Sequence, residues 1–252
     1  MKVVMIGSGN VATIFSRLIK QSGHNVLQVI SKQLPNAKTL ATELNCDFTD
    51  NYAAINAAGD IYIVAINDDS LIRLSTEFNV GDKLVVHTAA SVSKNILRNI
   101  STNYGVLYPL QSLRKEMPHG INIPLLVDGN SAQSIKSIQD FALTISPIVS
   151  QADDDKRLKL HVAATIANNF TNHLFSLTET FCKNENIDFR LLLPIINETI
   201  FRLNTYSPTY IQTGPAIRSD TSTIDKHLAL LANYPKLKNL YQLITESIRS
   251  NR

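Results

Sequence analysis

An apolar run, Val3-Val4-Met5-Ile6, passes directly into Gly7-Ser8-Gly9-Asn10-Val11-Ala12 at the start of the chain. Few folds accept that order. Each small residue answers a physical need: Gly7 permits a tight strand-to-helix turn, Gly9 lets the backbone approach a pyrophosphate, and Ala12 lets the next helix pack on the strand with its N-terminal amides facing the anion. The pattern carries weight because its context is present. Val11, Ile14, Phe15, Leu18 and Ile19 recur at helical spacing after it, and Gly23 ends the run. Gly7, Ser8, Gly9, Asn10, Val11 and Ala12 are therefore the expected dinucleotide cradle.

The second strand refines the ligand. An NAD site ends that strand with an Asp or Glu that accepts the ribose 2'-hydroxyl. Here no acid occurs between Met1 and Glu43, and Asn25-Val26-Leu27-Gln28-Val29-Ile30 runs out into Ser31-Lys32. A hydroxyl and an ammonium suit a 2'-phosphate, and no carboxylate stands there to repel it. The expectation is NADP, held at Ser31 and Lys32.

With 252 residues, 44% of them apolar, the chain can bury a large core. A net charge of +3, with scattered cations, does not imply nucleic acid. Cys46 and Cys182 lie far apart with no Cys-x-x-Cys pair or His cluster, so neither a disulfide framework nor a metal site is expected. The first strand begins at residue 3 and no apolar run approaches the about 18 residues of a membrane span, so the expectation is a cytoplasmic protein without membrane association.

Up to about residue 150, strands alternate with helices. Asp60 to Ile66, Leu84 to His87, Gly105 to Tyr108 and Pro124 to Val127 read as strands; Ala37 to Leu44, Leu71 to Phe78 and Ser131 to Ile145 read as helices. This predicts a Rossmann domain over 1–152, an α/β doubly wound, mostly parallel sheet. Ligands of such sheets bind beyond the carboxyl ends of the strands, which places Asn67, Asp68 and Thr88 beside the cofactor and Tyr108 and Gln111 beside the substrate. From Asp153 onward the pattern is helical, predicting an all-α domain over 153–252. Its first helix reaches about Cys182, with Asp153, Asp154 and Asp155 at the positive end of its dipole. A helix of about 30 residues spans about 45 Å, which predicts a homodimer built through this domain.

The series Gly-x-Gly-Asn-Val-Ala, Val-Val-His-Thr, Tyr-Pro-Leu-Gln-Ser, His161 to Phe170 and Thr213-Gly214-Pro215-Ala216-Ile217-Arg218-Ser219-Asp220 resembles, nearly end to end, the Rossmann-like bacterial family with a C-terminal domain of unknown function 2520. That family is regarded as NADP oxidoreductases. More remotely the layout is similar to the 6-phosphogluconate, 3-hydroxyisobutyrate, ketopantoate and pyrroline-5-carboxylate reductase superfamily, which implies hydride transfer between nicotinamide and a ketone, alcohol or imine. The chain departs from its family at Tyr108, where His is usual, and at Ala89-Ala90, where Ser-Gly is usual, although Ser91 adjoins the second position.

Hydride transfer to a carbonyl or imine needs a proton donor beside the heteroatom and polar groups to fix the substrate. His161, Thr165, Asn168 and Asn172 recur at spacings of four, three and four, with Asn169 at the margin of the same face. The resemblance implies a Lys and an Asn on this helix, yet Ala164 and Thr165 stand where the Lys would be. His161 and Asn168 are the catalytic candidates, with Thr165, Asn169 and Asn172 contacting substrate. A packing histidine is the competing reading of His161. Thr213, Gly214, Arg218 and Asp220 form a second candidate substrate segment, where Arg218 forks to an anion while Asp220 orients it or caps the next helix. An internal Arg-Asp pair accounts for them equally well. The expected function is oxidoreduction of a keto acid, hydroxy acid or imine in a cleft between the two halves. A non-catalytic NADP-binding sensor or interaction protein is the alternative.

Overall fold

Short buried runs of Val, Ile and Leu form strands here because both faces of each are covered, so apolar residues need not alternate with polar ones. The computed structural model describes residues 1–74, 77–116 and 122–250. In chain order the first part contains β1 (Lys2–Ile6), α1 (Asn10–Gln21), β2 (Asn25–Ile30), α2 (Leu34–Leu44), β3 (Asp47–Thr49), β4 (Ile61–Val64), α3 (Asp68–Arg73), β5 (Leu84–His87), β6 (Asn103–Pro109), β7 (Leu125–Gly129), α4 (Ala132–Ile145) and β8 (Val149–Gln151). These strands make an eight-stranded sheet in the order β3-β2-β1-β4-β5-β6-β7-β8. All neighbouring pairs are parallel except β6 with β7, so β7 and β8 run against the rest. The first six strands follow the Rossmann order, which reverses direction between β1 and β4.

The sheet's period of two distributes its core. Val3 and Met5 of β1 pack with Ala12, Phe15 and Ile19 on one face. Val4 and Ile6 pack with Val64, Leu71, Val85 and Leu97 on the other. Helix boundaries follow local chemistry. Pro35 sits in the first turn of α2, where its missing N–H costs nothing, and Asn45 ends that helix in the left-handed region at φ 58°. Helix α3 stops at Arg73; Ser75 and Thr76, within the helix expected to run to Phe78, lie outside the described residues.

No strand follows β8 among the described residues. Instead come α5 (Asp154–Ala164), a π-helical stretch (Thr165–Phe170), α6 (Thr171–Asn184), α7 (Leu193–Arg202), α8 (Thr221–Leu230) and α9 (Pro235–Ser250), with short 3-10 turns at Phe189–Leu192 and Leu231–Asn233. Asp153 caps α5, its Oδ1 accepting the Lys156 N–H at 2.8 Å. Among the described residues no helix is long and apolar enough to cross a membrane. The change from strand to helix falls after Gln151, and the backbone groups into two compact units, Met1–Asn168 and Asn169–Arg252. The second unit leaves Leu191, Ile195, Phe201 and Tyr210 between 66% and 77% exposed.

Candidate functional site

The turn after β1 is built as its small residues require. Gly7 has φ 125°, and a Cβ there would lie 2.1 Å from the Ala65 carbonyl oxygen, a backbone atom that cannot yield. Its N–H donates to the Ile30 carbonyl at 2.7 Å, tying the turn to β2. Gly9 differs, since a Cβ there would meet nothing within 4 Å. It faces open space over the start of α1, a helix whose first turn has neither a side-chain cap nor an acid. Those amides and the positive end of the dipole are left for an anion. Ala12 is fully buried behind them in the core.

A cleft of about 780 Å³ opens at this turn and is lined by Gly7, Ser8, Gly9, Asn10 and Val11. Ser31 and Lys32 at the end of β2, Asn67 and Asp68 after β4, and Thr88 after β5 also line it, as do Tyr108 and His161. The strand ends therefore bring together most of the residues expected around the cofactor. Ser8 Oγ donates to Ser31 Oγ at 2.8 Å, and the Gln33 N–H donates to the same oxygen at 3.3 Å. Around them the lining consists of Lys32, Gln33 and Asn36, while the carboxylates lining the cleft, Asp68 and Glu77, come from the segment after β4. Asn67 caps α3 through the Ser70 N–H at 2.8 Å, and Asp68 accepts a hydrogen bond from the Ser91 hydroxyl.

Tyr108, at the end of β6, is buried, and its hydroxyl shares a 2.9 Å hydrogen bond with Nδ1 of His161 on α5. The rings meet edge to face with centroids 6.0 Å apart. Burial raises the tyrosine pKa, and the positive charge of Arg157 partly offsets that rise. Behind the cleft, His87 is fully buried; its Nδ1 accepts the Ala89 N–H at 3.1 Å. Burial first, then the charge of Arg157, depresses its pKa from 6.5 to about 4, against weaker opposing effects from Asp154, the Ser93 backbone and Asp68.

The remaining expected residues have the following local settings. Gln111 is exposed and does not line the cleft; its Oε1 accepts the Ser112 N–H at 3.0 Å. The Thr165 hydroxyl donates to the His161 carbonyl at 2.9 Å, within the helix. Asn168 is exposed in the π-helical stretch, whose i to i+5 pairing interrupts the α-helical spacing on which a shared face with His161 was expected. In the second unit, Asn169, Asn172, Thr213 and Arg218 are exposed, and Gly214 adopts φ 108°. Asp220 caps α8, accepting the Thr223 N–H at 3.1 Å and hydroxyl at 2.7 Å; these bonds, with a smaller contribution from Arg218, lower its pKa. Sequence reasoning missed Asn36, Arg73, Lys115 and Ser91, which also line the cleft. Only Ser91 carried a signal, as the hydroxyl beside the Ala90 departure.

A glycine cradle at the reversal point of a 3-2-1-4-5-6 sheet, opening on a cleft with an acid-free strand end, defines a dinucleotide-binding protein. Residues 2–91 match the family described as NADP oxidoreductase, coenzyme F420-dependent, and residues 123–248, half of the chain, match the domain of unknown function DUF2520. The chain belongs to the DUF2520 family. It is similar over 99% of its length, at 33% identity and a TM-score of 0.91, to 98% of a provisionally assigned NADP oxidoreductase of Bacteroides fragilis. It is also similar to 1-pyrroline-5-carboxylate reductase of Streptococcus pyogenes, at 15% identity and TM-score 0.66, with 99% of this chain and 98% of that one covered. A Myxococcus stipitatus imine reductase in complex with NADP+ gives 17% identity and TM-score 0.65, with 99% and 92% covered. The last two likenesses concern the fold. No curated protein matches the chain. Cradle, strand end and family agree on NADP as the cofactor.

Proposed function

We propose that this chain reduces a small imine or keto acid, or oxidises the corresponding amine or hydroxy acid, with NADP as the hydride carrier. The observation that carries the reading is the Tyr108–His161 hydrogen bond in the cleft that begins at the glycine cradle. In this reading Gly7 to Ala12 hold the pyrophosphate, Ser31 and Lys32 the 2'-phosphate, and Asn67, Asp68 and Thr88 the nicotinamide side. When bound, NADPH supplies the hydride that reaches carbon. Tyr108 donates a proton to the nitrogen or oxygen, and the exposed His161 returns one to it from solvent, so the pair restores itself after each turnover. The cyclic imine is the favoured class, supported by the pyrroline and imine reductase folds above and by the absence of a Lys at Ala164 or Thr165. An imine that arrives protonated asks less of the protein's acid.

The test is NADPH oxidation across a panel of cyclic imines and keto acids. Turnover that Tyr108→Phe and His161→Ala both impair, with NADPH affinity kept, supports the proposal. NADPH binding with no turnover on any of them points instead to a cofactor sensor. The exposed large apolar side chains of the second unit, Leu191, Ile195 and Phe201 among them, are covered, in this proposal, by a second copy of the chain. Light scattering that gives a monomer at micromolar concentration overturns that part. The free thiols Cys46 and Cys182 suit a reducing compartment, where we place the protein, in the cytoplasm.

A further inference from the structure

Among the described residues Arg157 is the largest fully buried side chain, 1% exposed, although it stands in the charged run Asp153-Asp154-Asp155-Lys156-Arg157. Its Nε donates to the Ala90 carbonyl at 3.0 Å, and Nη2 donates to the Val92 carbonyl at 2.6 Å and to Asp154 Oδ1 at 2.9 Å. The segment it grips, between β5 and the 3-10 turn at Lys94–Leu97, lies outside helix and strand, with the Thr88 N–H donating to the Val64 carbonyl at 3.1 Å as its tie to the sheet, and Thr88, Ala89, Ala90 and Ser91 line the cleft. Asp154 extends the grip by accepting the Lys94 N–H at 3.4 Å. One helical turn beyond Arg157, on the same side of α5, is His161. One guanidinium thus connects the loop on one wall of the cleft with the helix that supplies the partner of Tyr108.

We infer that Arg157 is a positioning residue of the cleft: its fork fixes the 88–92 loop against α5 and holds a cation one helical turn from the histidine that Tyr108 bonds. The inference rests on the reading of this cleft as the NADP site. A guanidinium out of water is expensive to keep, and an apolar side chain of similar size would fill the space at lower desolvation cost. What an apolar side chain cannot do is hold two carbonyls in a fixed fork while keeping a positive charge beside them. Tyr108 bonds His161 directly, and the positive charge of Arg157, one helical turn from His161 on α5, favours the phenolate.

The two actions separate in two variants. Arg157→Lys keeps the charge and loses the fork; Arg157→Met loses both. Lys159→Ala, an exposed change on the same helix, is the control, and circular dichroism verifies folding. One readout is NADPH affinity by fluorescence titration, and the other is the titration of Tyr108 by NMR of isotope-labelled tyrosine, assigned with Tyr108→Phe. Loss of a hydrogen-bonding fork from a charged group predicts NADPH binding weakened about tenfold or more in both variants. The Tyr108 titration moves to higher pH in Arg157→Met and stays near wild type in Arg157→Lys. Folded variants with unchanged affinity and an unmoved Tyr108 overturn the inference. If wild type binds no NADPH, the reading of the cleft fails, while the Tyr108 titration, which needs no cofactor, still decides the role of the charge. If Arg157→Met does not fold, Arg157→Lys decides on its own: NADPH bound as tightly as by wild type refutes the fork.

Discussion

Replacing His87 by Asn should flatten the acid sensitivity of folding. In the folded protein the imidazole is completely enclosed, and burial, followed by the charge of Arg157, takes its pKa from 6.5 to about 4. The unfolded chain therefore binds a proton as pH falls through 6.5 while the folded chain does not, so stability rises with pH across the interval. That contribution is fully present above about pH 6.5 and is lost by about pH 4; at about 1.4 kcal/mol for each tenfold change in proton affinity it amounts to about 3 kcal/mol. Asn at this position can offer its Oδ1 to the Ala89 N–H, as Nδ1 does now, and it does not titrate. The cavity left by the smaller side chain costs the same at every pH, so it cancels from the slope. Urea unfolding of both proteins between about pH 4 and pH 7.5 measures the difference, with ΔG from linear extrapolation. Wild type should lose about 3 kcal/mol more than His87→Asn on acidification. Parallel pH profiles would refute the reasoning, because they would mean that His87 has the same proton affinity folded and unfolded.

The two cradle glycines should fail differently. Gly7→Ala puts a Cβ against the Ala65 carbonyl at positive φ and should lose about 2 kcal/mol or more of stability together with cofactor binding, whereas Gly9→Ala should unfold like wild type and lose NADPH affinity alone, as thermal unfolding and fluorescence titration will show. Lys32→Ala should weaken NADPH about tenfold to a hundredfold by calorimetry and leave NADH nearly unchanged. Tyr108→Phe and His161→Ala should each lower turnover of a keto acid or an unprotonated imine about a hundredfold or more in steady-state assays, and of a protonated imine by less, with NADPH affinity within about twofold of wild type.

The sheet was legible where its strands are buried and apolar: β2 and β5 begin and end where the pattern places them. β3 and β8 escaped notice because each is three residues long and their side chains are mostly exposed, so neither hydrophobicity nor period marks them. The cradle could be read because small residues at fixed offsets have few other uses. The pairing of Tyr108 with His161 could not, since 53 residues separate them and only the end of β6 and the start of the helical part bring them within reach. Arg157 was hidden for a different reason. In a run of three aspartates and two cations, nothing local says which cation turns inward, and the carbonyls that draw it in belong to residues more than sixty positions earlier. Asp220 shows the reverse case, a residue whose helix-capping role was one of the readings the sequence offered.

The Ser8–Ser31 hydrogen bond bears on any attempt to retune the coenzyme. It welds the glycine turn to the strand end where we propose the 2'-phosphate is held, and the Gln33 amide leans on the same oxygen. Swapping Ser31 for an acid would thus disturb the part of the grip common to both nucleotides while altering the part that tells them apart. Under that proposal Lys32, which lines the cleft from an exposed position, is the place where preference can be rewritten without loosening the common grip.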